Sequence, residues 1–200
     1  MASKTSHTRP YKIGYGYDSH RFLTAEEKKQ SKNDVIETDS DLFDANKPLI
    51  IGGLPATDEI QKLYGPFKAR SDGDVLYHAV VNAILSAIGD KKARDIGTLF
   101  PNTDKKNSNR NSSDFIKKTI EILQASEYEL ADLKIMLKGK IKVDFHKVED
   151  NLQAFFKHQK LHPEIHIQGT SGEEMDAAGR GEGVEIFAVA LIQHRGLMVD

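Results

Sequence analysis

The chain has 200 residues, no cysteine, 38% hydrophobic and 29% charged residues, and a formal net charge of -2. That length suits one domain with a real core, and without thiols there is neither a disulfide nor a thiolate metal centre, so a metal must be held by histidine and carboxylate. No basic stripe marks a nucleic-acid surface, no apolar run approaches the roughly 20 residues that cross a bilayer, and residues 1–10 lack the apolar heart of a signal peptide. The expectation is a soluble protein of the cytoplasm (bacterial) or of a plastid stroma, without nucleic-acid or membrane partners, and with residues 1–10 and 197–200 as tails.

Tyr11 to Phe22 reads as an opening strand. Ile13, Tyr15 and Tyr17 alternate on one side, and Asp18, His20 and Phe22 follow on the other parity, so Asp18 and His20 project together. Gly14 and Gly16 suggest a close backbone approach or a bulge rather than a phosphate loop, since no glycine-led helix follows. From about 24 to 47 the chain is polar and reads as an exposed loop with at most a short helix. Pro48 to Pro55 suggests a strand turning on Gly52-Gly53 into a short partner.

Next comes Arg70-Ser71-Asp72-Gly73-Asp74, a loop that becomes a helix from about Gly73 to Ile88. Ser71 and Asp72 are N-cap candidates, and Asp74 falls in the first turn. Leu76, Ala79, Val80, Ala83, Ile84 and Ala87 define one buried face, while Asp74, His78 and Asn82 line the opposite side at i, i+4 and i+8. Residues 89–104 mix short turns with buried Ile96, Leu99 and Phe100. Ser112-Ser113-Asp114 caps a second long helix, Asp132 to Leu137 is a strand, Phe145 to Lys157 a third helix, Glu164 to Thr170 a strand, and Val184 to Ile192 the strongest strand of the chain. One α+β domain over 11–196 follows, a mixed sheet with helices packed on one face.

Asp18 and His20 from the strand, with His78 from the helix, make two imidazoles and a carboxylate, a common catalytic zinc set that leaves a fourth position open. Taken singly, an Asp-x-His in a strand and a lone helix histidine are ordinarily structural, so their joint presence is the signal. A second polar turn, Gly169-Thr170-Ser171-Gly172-Glu173-Glu174, offers hydroxyls and free amides to phosphate oxygens and a carboxylate to magnesium, though an ordinary turn between strands looks the same. The set also suits a phosphoesterase that uses zinc-bound water, or a binding protein with a structural metal. The other histidines (His7, His146, His158, His162, His166, His194) read as surface or sheet positions.

Four separated motifs narrow the choice. Gly-Tyr-Gly-Tyr-Asp18-Ser-His20-Arg-Phe22, Ser71-Asp-Gly-Asp74 with His78, Asp95-Ile-Gly97 with Phe100-Pro101, and Gly179-Arg-Gly-Glu-Gly183 resemble, in order and spacing, the 2-C-methyl-D-erythritol 2,4-cyclodiphosphate synthases of the non-mevalonate isoprenoid route. The match spans Ile13 to Arg195 apart from the polar stretch 24–47, which looks like an insertion. The resemblance implies an intramolecular phosphoryl transfer: the 2-phosphate of 4-diphosphocytidyl-2-C-methyl-D-erythritol 2-phosphate attacks its own β-phosphorus and CMP leaves. It implies zinc, or a similar divalent ion, on Asp18, His20 and His78, and magnesium or manganese on Glu173 at the diphosphate. Catalysis would rest on Asp18, His20, His78, Ser71 and Thr170. Arg70, Ser71, Asp95, Lys142, Val143, Asp144, Thr170, Ser171, Glu173 and Arg180 would contact substrate, with Lys142, Val143 and Asp144 at the cytidine part.

The same resemblance implies a homotrimer with active sites between subunits, and a central cavity, near Arg180 and Glu182, that can hold an isoprenoid diphosphate. Asp74 reads as a cap or a group orienting an imidazole. Several positions depart from the family pattern: Arg70 stands for a histidine, Asn82 and Asn102 for aspartates, Glu174 for a lysine and Ile141 for a proline. They put the grip on substrate in question and leave the three metal ligands intact.

Overall fold

The computed structural model describes residues 9–30, 46–101, 104 and 110–197. The terminal tails up to residue 8 and from 198, most of the polar stretch 24–47, His7 and Asn102 therefore lie outside the described residues.

Four strands form a mixed sheet in the order β1 (Tyr11–Arg21), β6 (Gly183–His194), β4 (Tyr128–Lys138), β5 (Glu164–Thr170). β6 runs antiparallel to both β1 and β4, and β4 pairs in parallel with β5. The parallel pair needs a crossover, which α6 (Phe145–His158) supplies, packing on β5. The alternation expected along β1 holds: Gly14 and Gly16 face inward, while Ile13, Tyr15 and Tyr17 face out at 71%, 54% and 42% exposure. β6 buries Val184, Ile186, Ala188, Ala190 and Ile192 on one face and turns Phe187, Val189 and Leu191 to the other. The helices thus cover one face, and the second face of this chain is an aromatic and aliphatic surface.

The covering layer is built on α3 (Val75–Ile88), which packs on β1 and β6 and against α5 (Ser112–Ala125). Being covered from both sides, it is buried nearly all round, and the single apolar face expected from periodicity is a correction: Val75, Tyr77, Val81 and Leu85 are buried as well. Its small residues face the strand glycines. A Cβ on Gly16 would stand 2.0 Å from Ala79 O, and one on Gly14 2.0 Å from Ala83 O, so only glycine lets β1 lie this close to the helix.

The start of α3 also differs from expectation. The N-cap is Asp74, neither Ser71 nor Asp72, and its side chain accepts from Tyr77 N. The same carboxylate, fully buried, accepts Gly52 N–H at 2.9 Å and Gly53 N–H at 2.5 Å from the turn joining β2 (Ile50–Ile51) to β3 (Leu54–Pro55). Asp74 therefore points into the body of the protein, away from the outward stripe of His78 and Asn82. Gly52 and Gly53 hold positive φ of 62° and 77°, as that hairpin requires.

Smaller differences follow from tertiary contacts. Residues 25–30 form a short helix, α1 (Ala25–Gln30), and α2 (Asp58–Tyr64), capped by Thr57, has no counterpart among the expected elements. Ile96, Leu99 and Phe100 are only half-buried, the first two in the single turn of α4 (Ile96–Leu99). α5 is capped by Asn111, so Ser112 is its buried first residue rather than its cap. β4 begins at Tyr128, four residues earlier than expected, with a register shift between Leu130 and Asp132. No described helix is long and apolar enough to cross a membrane.

Candidate metal centre

β1 and the first turn of α3 bring three donors together. Asp18 Oδ2 lies 2.9 Å from His78 Nδ1 and 3.3 Å from His20 Nε2. These are ligand atoms of one group, all within 4.8 Å of one another, and no other such group of three occurs among the described residues. The side chains are 27% (Asp18), 13% (His20) and 12% (His78) exposed, enough for a ligand to reach the group from one side. The rings meet edge to face at 86°, with centroids 5.2 Å apart.

What lies behind each donor fixes its direction. His20 Nδ1 is 2.9 Å from Gly73 O, and a carbonyl only accepts, so Nδ1 carries a proton and Nε2 is the nitrogen turned to Asp18. Asp18 Oδ1 accepts the Ser19 N–H at 2.9 Å, leaving Oδ2 for the rings. His78 Nε2 has Ser112 Oγ at 3.0 Å and Ser71 Oγ at 3.3 Å. Phe67 stands beside His20 and Phe115 beside His78, with centroids 5.6 Å away in each case, so each imidazole packs on an aromatic ring. Burial alone would raise the Asp18 pKa, yet hydrogen bonds and charge from both imidazoles hold it well below the ordinary carboxylate range. Burial opposes charging His20, and Asp18 beside it outweighs that and raises its pKa. A carboxylate that attracts positive charge this strongly, between two nitrogens whose other faces are committed, is a donor set that could hold a divalent cation of zinc type.

The remaining expected site residues fall elsewhere on this chain. Ser71 joins the group, but behind His78: it is 6% exposed, and its Oγ also accepts the Gly73 N–H at 3.2 Å. Arg70 is half-buried beside it, its carbonyl accepting from Lys47 Nζ at 3.3 Å. Asp95 caps α4, and two hydrogen bonds from Thr98 lower its pKa. Lys142, Val143, Thr170 and Ser171 line a separate cavity of about 510 Å³ with Tyr64 and Lys140. Asp144 caps α6 next to it. Glu173 follows in a turn where Gly172, Glu173 and Glu174 all have positive φ (71°, 48°, 61°), and Ser171 Oγ donates to its carboxylate at 2.6 Å. Positive φ at two successive non-glycine residues is the kind of backbone strain found where a side chain is being aimed. Arg180 pairs with Glu182 at 2.7 Å, and Glu174 pairs with Lys140. The metal group does not line the Lys142 cavity, so within one chain the two sets of residues are separate.

Two members of the neighbourhood have no sequence signal of their own. Ser112 reads as a helix cap, and Asp72 as a capping candidate for α3. Asn82, a departure from the family pattern, is also explained: its amide donates to Tyr17 O at 3.3 Å and accepts from Ile96 N at 2.9 Å, tying β1 to α4. A carboxylate could not donate the first of these bonds.

Comparison with known proteins gives one answer. The YgbB family matches residues 11–193. The protein named 2-C-methyl-D-erythritol 2,4-cyclodiphosphate synthase from Hydrogenobaculum is 32% identical over 92% of this chain and 97% of its own length. That of Brachyspira hyodysenteriae is 31% identical over 91% and 98%. Among solved structures, the IspF CDP complex of Plasmodium falciparum superposes with a TM-score of 0.67 over 94% of this chain and 99% of that one; at 23% identity this likeness speaks for the fold.

Proposed function

The chain belongs to the YgbB family, and from that premise we propose that it is a 2-C-methyl-D-erythritol 2,4-cyclodiphosphate synthase, an enzyme of isoprenoid precursor biosynthesis. The reaction is an intramolecular phosphoryl transfer and the class is phosphorus–oxygen lyase. An oxygen of the 2-phosphate forms a bond to the β-phosphorus of 4-diphosphocytidyl-2-C-methyl-D-erythritol 2-phosphate, the bond from that phosphorus to the bridging oxygen breaks, and CMP departs with it. The observation that carries this reading is the convergence of Asp18, His20 and His78 in a chain of this family.

Such a transfer asks little covalent help of a protein; it asks for alignment and for neutralisation of phosphate charge. Asp18, His20 and His78 would hold zinc, or a similar divalent ion, which when bound supplies Lewis-acid stabilisation of phosphate oxygens. Glu173 would hold a second ion, magnesium or manganese. Thr170 and Ser171, exposed and lining the Lys142 cavity, would meet the diphosphate, the Ser171 hydroxyl exchanging its bond to Glu173 for one to phosphate, while Lys142, Val143 and Asp144 would frame the cytidine end. Arg70, Ser71 and Asp95 are assigned to the erythritol phosphate end, and Arg180 to a more distant anionic group.

The separation of the two residue sets fits an active site completed by a neighbouring subunit. We read the open face of the sheet, with Tyr11, Ile13, Tyr15 and Tyr17 between 42% and 71% exposed, as the wall of a homotrimer. Phosphorus NMR on the purified protein with the cytidyl substrate and magnesium tests the reaction. The expected product is the cyclic diphosphate with CMP; CMP with a linear bisphosphate would identify a hydrolase instead.

A further inference from the structure

We propose that Asp72 and Ser112 are positioning residues for the metal site, holding a proton of His78 on Nε2 and so leaving Nδ1, which lies 2.9 Å from Asp18 Oδ2, as the nitrogen whose lone pair a cation between them can use. The inference deepens the metal-site reading above and rests on it.

The direction of each hydrogen bond follows from what its partner can do. The Ser112 hydroxyl lies against Asp72 Oδ1 and its amide N–H donates to Asp72 Oδ2 at 2.8 Å. A carboxylate has only lone pairs to offer, so the hydroxyl proton goes to Asp72. Ser112 Oγ is then left with lone pairs alone, 3.0 Å from His78 Nε2. The nitrogen must donate. Were its lone pair turned to Ser112 instead, two acceptors would face each other at a residue with no exposed surface, at a cost of about 1–3 kcal/mol. Ser71 Oγ, 3.3 Å from the same nitrogen and already accepting the Gly73 N–H, stands ready as a second acceptor for that proton.

The anchor of this relay is itself held. Asp72 N–H donates to Arg110 O at 3.1 Å, and Asp72 Oδ1 also accepts the Asp74 N–H at 3.2 Å. Asp72 lies in the loop before α3, and Ser112 is the first residue of α5, so the chain Asp72–Ser112–His78 joins two helix starts to one ligand nitrogen. It parallels the bond from His20 to Gly73 O, one residue further along the same loop. A carboxylate behind a ligating histidine orients the ring and raises its basicity; here a serine hydroxyl is interposed and passes the direction on.

The test compares wild type, Ser112→Ala and Asp72→Asn in full-length protein, with zinc as the probe. In Asp72→Asn an amide N–H can turn toward Ser112, freeing the hydroxyl proton to point at Nε2 and so reversing the relay with little change of shape. Zinc dissociation constants, measured by chelator competition at one pH, are expected to rise about ten-fold or more in both variants. In zinc-loaded wild type, the His78 Nε2–H should be seen in imidazole 15N spectra as a proton protected from exchange, and Ser112→Ala should lose that protection. A merely structural role would lower the thermal midpoint and leave the zinc constant unmoved. Folded variants within two-fold of the wild-type constant overturn the relay. So does a wild-type Nε2–H that exchanges as fast as the ring protons of His146, whose side chain is 97% exposed; this last measurement needs no variant to fold. Wild type that takes up no zinc overturns the metal-site reading itself, a distinct result.

Discussion

Replacing Gly16 by alanine tests how far the placement of the metal group depends on one close approach. The added methyl carbon would stand 2.0 Å from Ala79 O and 2.4 Å from Ala83 N, where ordinary contact begins at 3.4 Å, an overlap of about 1.4 Å against atoms of the helix backbone. No side chain can rotate away to relieve it, so β1 and α3 must separate. Overpacking a core costs about 1–3 kcal/mol, and a rigid obstacle belongs at the upper end, so a loss of about 3 kcal/mol is expected. For a domain of this size that is a fall in melting temperature of roughly 6–12 °C. Urea denaturation at fixed protein concentration measures it, because the proposed assembly would make apparent stability concentration-dependent. Zinc binding supplies a second readout: Asp18 is two residues along the strand and His78 is on the helix being pushed away, so affinity should fall as well. A loss below about 1 kcal/mol with unchanged zinc binding would refute the argument that the glycine sets the strand–helix distance.

Three further outcomes follow from single groups. Asp74→Ala would leave the N–H groups of Gly52, Gly53 and Tyr77 without their buried acceptor, and at about 1–3 kcal/mol for each stranded group the loss in urea should reach at least about 3 kcal/mol. His78→Ala should abolish zinc uptake, read by metal analysis, while circular dichroism stays native; full zinc occupancy in that variant would remove His78 from the ligand set. Glu27→Gln addresses acid stability. Hydrogen bonds from the Arg21 guanidinium at 2.6 and 2.7 Å, helped by Lys68, hold the Glu27 pKa down at about 2 from its ordinary 4.5. A depressed carboxylate stabilises the fold above its unfolded pKa and loses that contribution as pH falls toward the folded one. The stability difference between wild type and Glu27→Gln should therefore be present at pH 6, shrink below pH 4.5 and vanish near pH 2. With Arg21 46% exposed, its size should be at most about 1 kcal/mol.

How much of this was legible in the sequence depends on how local each signal is. Asp18 and His20 share a strand face by parity alone, and the glycines before them announced a close approach whose partner, the alanine stripe of α3, reads as helix core. Local sequence cannot choose the start of α3, because Ser71, Asp72 and Asp74 are all good caps. The decision falls to Gly52 and Gly53, twenty-odd residues away, whose N–H groups reach only Asp74. Ser112 reads as a cap for the same reason: serine at a helix start looks local, and its contact with His78 spans 34 residues. α2, seven residues long with Ile60 alone buried, is too short to show a period.

The site itself divides along the same line. Asp18, His20 and His78 belong to β1 and α3, which pack directly on each other, so one chain suffices to bring them together. Lys142, Thr170, Ser171 and Glu173 lie at or just after the C-terminal ends of β4 and β5, two and three strands from β1 in the sheet order, and the cavity that Lys142, Thr170 and Ser171 line does not include the metal group. The homotrimer proposed above joins them and would also cover Tyr11, Ile13, Tyr15 and Tyr17, large side chains that a monomer would leave in water. The exposed sheet face and the divided site thus call for the same remedy, and each is a physical argument for it that the other does not depend on.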